Sequence, residues 1–166
     1  MKPTSALVRA SENNKKISTE SYLKFQLDPH TSAVFAMRHV LEAMTLPAHQ
    51  LTLMPNSVPC MIGLMNRRSR VLWVINLMHL LGMTPPDTYT QHYNLIIIQV
   101  NSIPLALSVH HVNGILNIEK PNIQPPPGHI SSAIVPYLSG CIFQKKTMSL
   151  VLDATAIVNS QHLRKF

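Results

Sequence analysis

The stretch Met54–Gly82, MPNSVPCMIGLMNRRSRVLWVINLMHLLG, decides how the rest of the chain is read. Pro55-Asn56 and then Pro59 are turn formers, so an apolar run ends there and the chain changes direction. Gly63 interrupts Cys60-Met61-Ile62 and Leu64-Met65. A glycine inside an apolar strand pattern points to a bulge or to a close approach of two backbones. Asn66-Arg67-Arg68-Ser69-Arg70 is a polar break of five residues. Val71-Leu72-Trp73-Val74-Ile75 is β-branched and aromatic, which predicts a strand. Asn76 suits the N-cap of a short helix over Leu77–Leu81, and Gly82 suits the position just past its end. The stretch therefore reads as strand, basic tight turn, strand and one or two helical turns.

Strands also dominate on either side. Residues 1–20 are polar, with Lys15 and Lys16 among serines and asparagines, and read as a flexible tail. Tyr22–Leu27 alternates with period two, which sets Leu23, Phe25 and Leu27 on one face. Asp28-Pro29-His30-Thr31 is a turn signal, and Ala33, Phe35 and Met37 resume the alternation, so 22–37 reads as a hairpin. Val40–Met44 continues as an extended or short bent segment. Asn94–Val100 is almost wholly apolar and reads as a central strand. Ile103–Val109 follows, with Pro104 suited to a strand start or an edge, and then Val112–Ile118 around Gly114. Lys120–His129 is a proline-rich connector. Tyr137–Phe143 and Met148–Leu152 form a last hairpin across Gln144-Lys145-Lys146, and Asp153 caps a terminal helix from Ala154 to about Leu163. About nine short strands with closely spaced turns predict an all-β barrel arrangement.

Composition narrows the function. The chain has 166 residues, 46% hydrophobic and 13% charged, enough to bury a sizeable core in one domain. No apolar run approaches the ~20 residues that span a bilayer. The polar first segment is not a secretory signal, so a cytoplasmic location and no membrane insertion are expected. The two cysteines, Cys60 and Cys141, lie in apolar contexts with no CxxC spacing and read as buried free thiols. The seven acids are dispersed, which suggests no paired-carboxylate site. Of nine histidines only His110-His111 are adjacent, and neighbours on a strand face opposite ways. No HExxH, phosphate loop or nucleophile elbow occurs. The expectation is a protein without catalysis, cofactor or metal. The net charge of +7 reflects scarce acids as much as abundant bases. It leaves open a small basic barrel that binds RNA or single-stranded DNA, a reading opposed by nine scattered aromatics and unclustered lysines.

Pro55-Asn56, Gly63, Asn66, Arg68, Val74 and Leu77, in this order and spacing, resemble the signature of CheW-like domains, the coupling proteins of bacterial chemosensory arrays. The family pattern runs roughly P-N…G-x-x-N-x-R-G-x-x-x-P-V-x-D-L. This chain departs from it at Ser69 (Gly), Trp73 (Pro) and Asn76 (Asp). Val109, Val112 and Tyr137-Leu138-x-Gly140 match weaker family positions, so the resemblance covers nearly everything after the tail. It implies two five-stranded SH3-like barrels sharing a hydrophobic core, with short helices and a C-terminal helix, over residues 21–163. The implied partners are the regulatory domain of a CheA-type histidine kinase, the cytoplasmic tip of a methyl-accepting chemoreceptor and other CheW-like domains. The implied location is at membrane-associated receptor arrays.

The resemblance also nominates a partner-binding set: Val40, Glu42, Gly63, Asn66, Arg67, Arg68, Ser69 and Arg70. Val40-Leu41-Glu42 resembles the family's V-x-E, whose glutamate pairs with the arginine matching Arg68. Taken without the resemblance, the arginine cluster reads either as a solvated hairpin tip or as a recognition turn that presents a guanidinium to a carboxylate. Ser69 in place of glycine implies strain of about 1 kcal/mol if the turn requires φ > 0 there, or else a changed turn type. Trp73 reads as core or as an exposed interface anchor.

Overall fold

The computed structural model describes residues 18–55, 57–86, 90–119 and 122–164. Most of the expected tail (residues 1–17), Asn56, Asp87 and Lys120 lie outside them. Twelve strands and two short α-helices occur among the described residues.

One sheet takes its strands from the middle of the chain: β3 (Val40–Pro47), β4 (Thr52–Leu53), β5 (Met61–Arg67), β6 (Arg70–Asn76), β7 (His92–Val100) and β8 (Ile103–Val109), in the order β3-β7-β8-β6-β5-β4. The other takes them from both ends: β1 (Thr19–Asp28), β2 (Thr31–Ala36), β9 (His111–Glu119), β10 (Ile123–Gln124), β11 (Leu138–Gln144) and β12 (Thr147–Leu152), in the order β10-β11-β12-β2-β1-β9. Each sheet thus has five long strands and one of two residues, and we call the two units the central and the terminal barrel. Neighbours are antiparallel except for β6 with β8 and β2 with β12, which run parallel.

Strand alternation sorts the apolar side chains into three clusters. Leu46, Met65, Leu72, Val74, Leu95, Ile97 and Ala106 fill the central barrel. Tyr22, Val34, Ile118, Ile142 and Val151 fill the terminal one. The largest cluster joins the two, with Leu23, Phe25 and Phe35 from one sheet against Ile75, Ile96, Ile98 and Leu107 from the other. Burial on both faces explains why β7 reads as an unbroken apolar run: Leu95 and Ile97 point into their own barrel, Ile96 and Ile98 into the shared core. Phe25 and Phe35 are fully buried and stack with centroids 5.2 Å apart. Burying each ring contributes about 2 kcal/mol.

The differences from expectation are local. β1 begins at Thr19, inside the expected tail, and the segment after Val40 is one continuous strand to Pro47. The two-residue strands β4 and β10 carry no legible pattern and account for part of the undercount. The last helix is shorter than expected. α2 (Ala154–Val158) starts where Asp153 accepts the Thr155 and Ala156 amides at 2.9 and 3.2 Å. Ser160 then caps a separate 3-10 turn over Gln161–Leu163. The earlier helix, α1 (Leu77–Leu80), stands as read, with the Asn76 side chain accepting the His79 amide at 3.1 Å and Gly82 at φ 78° after its end.

Candidate functional site

The basic break is the tip of the β5–β6 hairpin. Arg67 and Arg70 are the last paired residues, and Arg68 and Ser69 make the turn with φ 51° and 64°. Positive φ at both central positions is the turn whose twist matches that of the strands, and it favours Asn-Gly. Ser69 therefore holds the left-handed conformation that the missing glycine would adopt freely. Asn101-Ser102 and Lys145-Lys146 turn their hairpins in the same way, also without glycine.

Parity along the strands decides which arginine meets Glu42. Met65 points into the central barrel, so Arg67, two residues on, lies on the same face at the barrel's mouth, and Arg68 has already left the ladder. On β3, Leu46 and Met44 point inward and bring Glu42 to the same mouth. Arg67 Nε donates to Glu42 Oε2 at 3.1 Å, and Arg67 Nη2 bonds Glu42 Oε1, which makes the pair two-pronged. The partner expected for Glu42 was Arg68; the structure has Arg67 instead. Since β3 and β5 share no ladder, the pair closes the barrel between strands far apart in the sheet order. The Arg67 hydrogen bond is the main reason that the Glu42 carboxyl sits below its usual range; slight desolvation opposes it, and Arg67 and Arg68 charges assist. The same hydrogen bond raises Arg67.

The other nominated residues divide by exposure. Asn66, Arg68, Ser69 and Arg70 are exposed at the hairpin end. Val40 is half-buried and packs on the shared core. Gly63 is buried, and both readings of it hold: the β5–β6 register shifts between Met61 and Gly63, and a Cβ there would collide with the Thr52 carbonyl of β4. Trp73 is half-buried against the shared core, which favours its core reading. Three exposed apolar residues near this end were not singled out in the sequence: Leu41 beside Glu42, Val71 beside Arg70, and Ile103 at the start of β8. Leu41 occupies the outward position of an alternating strand, whereas Val71 and Ile103 share strand faces with buried Ile75 and Leu105 and are exposed because they lie near the strand ends.

A model of the CheW-like domain matches residues 21–162. The chain belongs to the CheW-like family. It is 33% identical over 106 residues to a probable chemotaxis protein CheW of Rhizobium etli, covering 64% of this chain and 68% of that protein. The crystal structure of scaffolding protein TtCheW from Thermoanaerobacter tengcongensis matches with TM-score 0.74 at 17% identity, covering 87% of this chain and 96% of that one. The shared architecture is the CheW pair of SH3-like barrels.

Several CheW-like motif positions are occupied by the fold itself. Val74 and Leu77 are fully buried. Gly140 lets β11 approach β10, where a Cβ would lie 2.6 Å from the Gln124 carbonyl oxygen. Tyr137 shares a 2.6 Å hydrogen bond with Ser160. Among the described residues, Pro55, Asn66 and Arg68 are the motif side chains left exposed to solvent. Elsewhere, His30, His92 and His110 border a cleft between the barrels, and among the described residues no three of His, Cys, Asp and Glu form a metal-binding group. Cys60 and Cys141 are free and buried, and burial pushes both thiols up. No helix among the described residues is long and apolar enough to cross a membrane.

Proposed function

We propose that this chain is a non-catalytic coupling adaptor, linking the cytoplasmic tip of a methyl-accepting chemoreceptor to the regulatory domain of a CheA-type histidine kinase. Family membership supports the class, and the proteins it resembles are named for chemotaxis and scaffolding. The observation that carries the site is the Glu42–Arg67 pair. It fixes the β5–β6 hairpin against β3 and leaves Asn66, Arg68, Ser69 and Arg70 exposed beside it. In this reading Arg67 is the internal member that sets the shape of the mouth, and Arg68 is the guanidinium offered to a partner carboxylate. Val40, Glu42 and Gly63 support the surface from beneath. Surplus positive charge steers association with acidic partners, so binding weakens as salt rises.

Binding of the kinase regulatory domain and, separately, of a receptor cytoplasmic fragment from the same genome tests the reading. Arg68→Glu is expected to weaken at least one complex about tenfold. Arg67→Glu is expected to weaken it as well, and Glu42→Arg combined with Arg67→Glu to restore most of that loss. A folded protein that binds neither partner would refute the proposal.

A further inference from the structure

The terminal barrel has a mouth of its own, at the end where β1 begins and β2 and β12 finish. Glu20 of β1 pairs there with Arg38, which lies in the 3-10 turn Met37–His39 that carries the chain across to β3. Tyr22, buried in the barrel, donates its hydroxyl to Glu20 Oε2 at 3.3 Å. The central mouth is closed by the same device, with one difference: the Arg38 side chain stays 62% exposed, against 35% for Arg67. Arg38 Nη1 holds Glu20, and its other N–H donors have no partner among the described residues. Asp153, just past β12, engages Oδ1 with the Thr155 and Ala156 amides and leaves Oδ2 open. A cavity of about 390 Å³ lies between these groups, walled on its apolar side by Tyr22, Ala36, Ile123 and Val151.

That volume is at the small end of ligand pockets, which run from about 300 to 1,000 Å³. The charges on it restrict the occupant. Glu20, Arg38, His39 and Asp153 line the cavity, so one guanidinium faces two carboxylates. An added anion meets a surplus of negative charge, and a simple cation leaves the open Arg38 donors without a partner. An occupant that carries both charges satisfies both sides. Its carboxylate fits the planar fork of Arg38, and its ammonium fits Asp153 Oδ2. Ala36, Ile123 and Val151 then meet a hydrocarbon side chain. We infer that the mouth of the terminal barrel binds an α-amino acid with an apolar side chain.

The aliphatic and aromatic L-amino acids serve as probes, titrated into the full-length protein and followed through its amide chemical shifts by NMR. At least one is expected to bind with a Kd of about 1 mM or tighter, with shifts centred on Tyr22, Arg38, Val151 and Asp153. Analogues of that probe lacking the ammonium or the carboxylate are expected to bind at least about tenfold more weakly. Arg38→Ala, on an exposed side chain, is expected to weaken binding about tenfold and Arg38→Lys less. Asp153→Asn keeps a helix cap but removes the charge, and is expected to weaken binding by about as much as Arg38→Ala. Lys146→Ala, in the β11–β12 turn at the other end of the barrel, is expected to leave binding unchanged. Circular dichroism confirms that each variant folds. The absence of shifts at the mouth with every one of these amino acids overturns the inference. So does an equal response to an analogue lacking either charge, or binding that both Arg38→Ala and Asp153→Asn leave intact.

Discussion

At the scale of single residues, Gly63 and Glu42 make the sharpest claims. A methyl group at position 63 meets the Thr52 backbone, which cannot move without unpairing β4. Gly63→Ala should therefore destabilise the fold by about 2 kcal/mol. That would lower Tm by about 4–8 °C in a chain of this size, as measured by calorimetry. Because the folded carboxyl of Glu42 titrates below its unfolded value, its contribution is full above the usual glutamate range. It disappears as pH falls through the depressed value. Glu42→Gln should accordingly be less stable than the parent at neutral pH, with the gap between their melting curves closing on acidification. A gap that stays constant into acid would show that the carboxylate charge does not hold the mouth closed.

Elements carry a different share of the information. Period-two alternation made the hairpins legible, and Leu23, Phe25 and Leu27 do share the face that the pattern assigns to them. Asp153 marked the start of α2, and Asp153→Ala should cost about 1 kcal/mol, read as a shift in denaturant midpoint without a change in slope. The end of that helix was less visible, because Ser160 both stops one turn and caps the next. Strands of two residues carry no period and could not be read. The partner of Glu42 was within reach: counting two from Met65 selects Arg67, whereas carrying over the family's arginine selects the residue at the turn. A shift of one position moves a side chain to the opposite face.

For the molecule as a whole, the resemblance gave the two barrels, while composition and periodicity alone gave only an all-β arrangement of fewer strands. Nothing local states that the sheets share a core, since that depends on which strands end up adjacent. The terminal barrel depends on the most remote of these pairings, β2 with β12, where Ser32 and Ser149 hydrogen-bond at 3.1 Å across 117 positions of sequence. The ribosome delivers those partners far apart in time. At about 5–20 residues per second, β2 leaves on the order of ten seconds before β12 exists. The central barrel has all its strands by Val109 and is free to fold meanwhile. During that interval the nascent β1–β2 hairpin presents Phe25, Phe35 and an unpaired strand edge, a natural substrate for a holding chaperone. The last hairpin to be made is thus the one that ends the exposure.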